Sequence, residues 1–135
     1  MELQITEQQQ VHDLKKQFNH CFPFLKIECF HQGHAESTGT AKKAMIDSNT
    51  PLKDLGLKQF GSFTIDPSMS VNAFEQNMAS VFGLNLHVFR RSGNLFIETT
   101  ATDDWTLKAQ NDEAKAMSIH ESPEQQDFTD KDQWD

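Results

Sequence analysis

An α+β fold made of two tandem β-α-β-β repeats is predicted by three features of the sequence. Apolar positions recur at a spacing of 60 residues. Within each copy the hydrophobic period changes from a helical to a strand value. Two strand-like runs, LHVF and LFIETT, flank a turn-rich segment, Arg90-Arg91-Ser92-Gly93-Asn94. Val11, Leu14, Phe18 and Phe22 fall opposite Val71, Phe74, Met78 and Phe82, and upstream Leu3 and Ile5 fall opposite Phe63 and Ile65. After one residue is dropped, LKIECF (25–30) lies over LNLHVF (84–89), and NTPLK (49–53) lies over DWTLK (104–108). A repeat of this length is one supersecondary unit that buries its apolar face against its neighbour. Residues 1–60 are therefore expected to form the first unit and 61–118 the second, in one shared core, with 119–135 as an acidic flexible tail.

Short runs, MELQI and GSFTI, open each unit as strands. Val11, Leu14, Phe18 and Phe22 are then spaced as one face of a helix, with Thr6 and Gln9 as its expected capping box. In the second unit Val71, Phe74, Met78 and Val81 or Phe82 repeat that stripe. Pro67, Ser68 and Ser70 mark its start, and Gly83 its left-handed stop. Past each helix the period is two: Leu25, Ile27 and Cys29 alternate with Lys26 and Glu28, and Leu84, Leu86 and Val88 with Asn85 and His87. The LHVF and LFIETT runs read as a hairpin. In the first unit the matching strand is expected within residues 40–46, after a loop. Both helices are expected on one side of antiparallel sheet structure, in one sheet or two.

Composition agrees with a folded domain: 135 residues, 36% hydrophobic and 24% charged. Eleven Phe and no Tyr point to a core rich in apolar area without hydroxyls to satisfy. The start MELQITEQQQ lacks the basic and apolar regions of a signal peptide, and no run is apolar enough to span a bilayer. A cytoplasmic protein with two reduced thiols, Cys21 and Cys29, is expected. The net charge of −8 is uneven: residues 1–108 hold twelve acidic and ten basic side chains, and residues 109–135 hold eight and two.

The stretch FGLNLHVFRRSGNLFIETTATDDWTLKAQN (82–111) resembles a family of small uncharacterised bacterial proteins sharing an FGL–(V/I)F(R/K)–SG–aromatic–ETT–TD–WTL–QN run. The resemblance covers about a quarter of the chain and implies a bacterial, freestanding, repeat-containing protein. It supplies no catalytic residues.

The chemistry-bearing residues are sparse. Cys29, His31 and His34, with Glu36 beyond, offer thiolate and imidazole ligands, but C-x-H-x-x-H is no established zinc spacing and solvated loop histidines are the simpler reading. Cys21 beside His20 does not make a catalytic pair, since helix neighbours point about 100° apart, and His12 adds nothing. STGTAKK (37–43) has one glycine where a phosphate loop needs two. Arg90 and Arg91, near Phe89 and Phe96, form a basic-aromatic cluster, yet a pI near 5.1 disfavours nucleic acid. Trp105 follows Asp103 and Asp104; it reads either as a recognition residue or as an anchor where the chain crosses the sheet. In the tail, Phe128 and Trp134 stand alone among acidic residues, either as docking anchors or in a purely solubilising segment.

No cofactor and no catalytic residue are expected. The leading reading is a non-enzymatic interaction or scaffold protein that contacts a protein partner through Arg90, Arg91, Trp105, Phe128 or Trp134, with no nucleic acid and no membrane, as a monomer or homodimer. The alternative is a small-molecule-binding protein or metal-dependent enzyme using a cleft between the repeats near His87, Glu98 and Trp105. That analogy wants ligands from both units, and the opening strands offer only Gln4 and Thr64.

Overall fold

A computed structural model describes residues 1–31 and 45–119. Its elements are β1 (Glu2–Ile5), α1 (Val11–Cys21), β2 (Leu25–Cys29), a 3-10 turn (Leu52–Leu55), β3 (Gly61–Thr64), α2 (Val71–Asn77, continued by a π turn, Met78–Phe82), β4 (Leu86–Ser92), β5 (Leu95–Glu98) and α3 (Leu107–Ile119). The fold is α+β, with two antiparallel sheets: β1 pairs with β3, and β2, β4 and β5 follow in that order.

The pairing shows how the two units meet. The β1–β3 ladder sets Leu3 opposite Phe63, and the β2–β4 ladder sets Glu28 opposite His87. Each of these pairs joins equivalent positions of the two units. Antiparallel pairing of equivalent positions is what a local two-fold axis between them requires. The hydrogen bonds repeat as well. Val11 N–H donates to the Thr50 carbonyl and Val71 N–H to that of Trp105, both at 2.9 Å. His12 N–H meets Ser48 and Asn72 N–H meets Asp103, both at 2.8 Å. Isolated bridges Gln10–Pro51 and Ser70–Thr106 are equivalent too.

Leu25, Ile27 and Cys29 share the sheet face of Leu86 and Val88, and that face joins the stripes of α1 and α2 in one core. At its centre the Phe18 and Phe74 rings, one from each unit, lie 5.3 Å apart between centroids. Leu3, Ile5 and Ile65, from β1 and the end of β3, close the core from the second sheet.

Local sequence accounts for most boundaries. Ser70 caps α2, its hydroxyl accepting from Ala73 N–H at 3.0 Å. Gly83, at φ +77°, ends the π turn in the left-handed region, where an added Cβ would meet Lys58 at 3.1–3.2 Å. The β4–β5 hairpin turns at Gly93-Asn94. The α1 cap differs from expectation. Thr6 and Gln9 do interact, Thr6 N–H donating to Gln9 Oε1 at 3.0 Å, but they form a preceding turn. The helix begins at Val11, and Gln10 with Asp13 provides the reciprocal box.

A second difference is α3, where only the close of the second repeat and the start of the tail were expected. Leu107, Gln110 and Ala114 face inward, a stripe too thin in apolar residues to announce a helix. The first unit's matching strand, expected within residues 40–46, falls partly outside the described residues. Within them, Met45 bridges Phe30, and Ile46 N–H donates to the Cys29 carbonyl at 2.8 Å.

Candidate functional site

Strand alternation separates the two hairpin arginines. Arg90 shares the core-side face with Leu25 and Ile97, whereas Arg91 shares the other with Phe96. Arg91 is buried, and its Nε donates to the Gly93 carbonyl at 2.6 Å. Arg90 lies with its guanidinium carbon 5.5 Å from the Trp105 ring centroid, and its Nη1 donates to Gln110 Oε1 at 3.0 Å. Gln110 is fully buried and donates in turn to the Thr102 carbonyl and hydroxyl at 2.7 and 2.8 Å. Trp105 is thus both anchor and surface. Its backbone pins the start of α2, while its side chain stays 37% exposed.

Beside this cluster lies β5. Among the described residues β5 pairs only with β4, so its outer backbone edge has no strand partner there. Leu95 and Ile97 point to the Arg90 side and are 69% and 40% exposed. Leu95, Ile97, Arg90 and Trp105 therefore form one continuous surface: two aliphatic groups, an indole and a cation, next to an edge strand.

The other expected residues do not join it. His87 and Glu98 lie on the opposite sheet face from Arg90, so His87, Glu98 and Trp105 do not share a cleft. His34, Glu36, residues 37–43, Phe128 and Trp134 lie outside the described residues. Cys21 is half-buried, beside His20 at the end of α1. Among the described residues no three His, Cys, Asp or Glu side chains are placed to hold a metal ion. No helix among them is long and apolar enough to cross a membrane.

Two features escaped the sequence reading. One is a buried ionic group at the local two-fold. Glu28 accepts from Lys15 at 2.9 Å and from Lys26 at 3.0 Å. At the equivalent place in the second unit, Glu75 Oε1 lies 3.7 Å from His87 Nδ1, and its Oε2 accepts Val88 N–H at 2.9 Å. The helix positions 15 and 75 are equivalent, as are the strand positions 28 and 87, so the two units carry the same contact in different charge chemistry. Period-two alternation sends Glu28 away from the core and reads as solvent. A lysine on α1 facing a glutamate on β2 was the available signal.

The second feature is a cleft of about 630 Å3, lined mostly by the first unit and also by Gly83, Leu84 and Asn85 of the second. Cys29, Ile46, Leu55 and Leu84 are among its apolar lining, and His31, Asp47, Asp54 and Asn85 among its polar lining. Cys29 and His31, two of the expected metal ligands, therefore share this cleft, but Cys29 is a buried thiol. Burial first, and the neighbouring Glu28 carboxylate second, push it up to about 12, against a smaller opposing effect of Lys15. Burial also raises Cys21.

Both thiols should consequently resist iodoacetamide in the native protein at pH 8, since only thiolate reacts. Peptide mass spectrometry should find Cys29 labelled only after unfolding, and Cys21 labelled more slowly than a free thiol. The raised thiol also sets a pH dependence. The folded state holds the Cys29 proton more tightly, so this contribution is full below the ordinary value of 9.0 and is lost as pH rises towards 12. Urea midpoints should fall between pH 8 and 10.5, and fall less in Cys29→Ala.

Comparison with protein-family models, curated proteins and solved structures finds no match.

Proposed function

We propose that the protein is a non-enzymatic interaction protein that takes an extended segment of a protein partner along the outer edge of β5. The observation that carries this reading is the surface formed by Leu95, Ile97, Arg90 and Trp105 beside that edge. An added strand gains main-chain hydrogen bonds from an open edge, and alternate side chains find pockets or apolar patches beside it. Trp and Arg are the residue types that most often dominate interface energetics. Exposed edges are usually protected by charge or proline, whereas here the outward residues of β5 on this face are Leu95 and Ile97. The buried ionisable group of Lys15, Glu28 and Lys26 is engaged within itself, which favours a structural role for it over catalysis.

The test is capture from a native bacterial lysate with three proteins: the full chain, Leu95→Lys/Ile97→Lys, and a chain ending after Ile119. An earlier stop would remove the buried Gln110 and Ala114 and confound the result. A partner retained by the full and shortened chains, but reduced at least tenfold by the two lysines, supports the edge. Undiminished capture by the lysine variant overturns it. Loss only on shortening transfers the contact to residues 120–135, where Phe128→Ala and Trp134→Ala become the next variants.

A further inference from the structure

The local two-fold relates the first unit's cleft to a place that the second unit fills with its own side chains. Matched backbone bonds fix the correspondence. Thr50 N–H donates to the Asp47 carbonyl as Trp105 N–H donates to that of Thr102, both at 3.0 Å, and Leu52 N–H meets Gln9 as Leu107 N–H meets Met69. Thr50 therefore stands where Trp105 stands, Asp47 where Thr102 stands, and Leu55 where Gln110 stands. In the strands, the register that sets Glu28 opposite His87 puts His31 in the place of Arg90.

In the second unit these four positions are a packed cluster. The Arg90 guanidinium lies against the Trp105 ring, Gln110 bonds Arg90, and Thr102 bonds Gln110. In the first unit the same four, His31, Thr50, Leu55 and Asp47, all line the cleft. The cleft has two sources in the sequence. Threonine replaces the indole, and the segment that runs on as a thirteen-residue helix in the second unit is a four-residue 3-10 turn in the first. Two of the substitutions also change the charge: Asp47 takes the place of Thr102, and Asp54 that of Ala109.

We infer that this cleft binds a small organic cation carrying a flat apolar group, of the arylalkylamine or arylguanidine class. The apolar group takes the space that the Trp105 indole fills in the other unit, beside Ile46, Leu55 and Leu84. The cation faces Asp47 and Asp54. One Asp47 oxygen already accepts the Asn49 N–H at 2.9 Å, which leaves the second oxygen for the ligand. The volume falls within the range of small-molecule sites, roughly 300–1,000 Å3, and an apolar floor with a few polar wall groups is their usual make-up. This site is separate from the β5 edge and does not depend on it.

The probe is phenethylamine, a phenyl ring on an ammonium arm, titrated calorimetrically into the full chain at low salt, where exposed carboxylates are least screened. 3-Phenylpropionate, with the same ring and the opposite charge, is the control. The expected result is saturable phenethylamine binding at up to millimolar concentration and none by the anion. Asp47→Asn/Asp54→Asn should weaken phenethylamine at least tenfold, and Thr50→Trp, which restores the second unit's residue, should abolish it. The proposal is overturned if phenethylamine does not bind, if 3-phenylpropionate binds as well, or if the asparagine variant binds as tightly as the parent. Circular dichroism melts check folding. Should Thr50→Trp fail to fold, the asparagine pair decides, since both aspartates are exposed.

Discussion

Phe18→Ala is expected to lower the unfolding free energy by about 3–5 kcal/mol, the usual cost of emptying a phenylalanine site in a packed core. Phe18 is fully buried, with ring centroids 5.3 Å from both Phe22 and Phe74, so no neighbour can move in without losing its own contacts. A domain of this size has on the order of 5–15 kcal/mol in total, and the variant should lie near its folding threshold. Urea denaturation followed by far-ultraviolet circular dichroism measures the effect. Phe60→Ala, at a residue exposed on the surface, should change stability by less than about 0.5 kcal/mol. Because Phe18 of one unit packs on Phe74 of the other, the loss should appear as one cooperative transition. Two separated transitions would show that the units do not share a core.

Removing Glu28 should have the next largest effect. Its carboxylate is 8% exposed and accepts from two lysines that are 23% and 30% exposed. Breaking one side of a fully buried pair costs about 3–5 kcal/mol, because the remaining charge is stranded. Here both lysines partly reach water, and exposed pairs are worth little, so Glu28→Ala should cost about 2–3 kcal/mol. A double-mutant cycle with Lys15→Ala isolates the interaction, and its coupling should exceed about 1 kcal/mol. The surface pair Lys108–Asp112, 2.7 Å apart at a four-residue spacing on α3, gives the comparison and should couple by no more than about 0.5 kcal/mol. Additive effects of Glu28→Ala and Lys15→Ala would mean that the buried bond contributes nothing.

Neither the β5 edge surface nor the cleft was legible in the sequence. Arg90 and Trp105 were singled out there, but adjacency in sequence had joined Arg90 to Arg91, and alternation along β4 parts them. The surface with Ile97 exists because of the β4–β5 register, and the Gln110 that holds Arg90 arrives on a helix that local pattern did not reveal. The cleft is still less visible, because it depends on how Thr50 and the 3-10 turn at Leu52–Leu55 pack where the second unit has Trp105 and α3. Its traces in the sequence were the replacement of Trp105 by Thr50 in the repeat alignment and the candidate ligands Cys29 and His31, which line it.

Local sequence determined the helices at Val11–Cys21 and Val71–Asn77, the strands beside them, the stop at Gly83 and the hairpin at Gly93, because caps, turns and hydrophobic period act over a few residues. It also wrote the same apolar stripe twice, once on each of these helices. Tertiary structure decided how they join. Strands pair with partners nearly sixty residues away, and nothing local chooses among such partners; burial of both stripes in one core chooses, and it sets Leu3 against Phe63 and Glu28 against His87. The same burial makes a helix of residues 107–119 and encloses Glu28, which alternation alone assigns to solvent. What a residue meets across the two-fold depends on the other unit, and that information is not local to either.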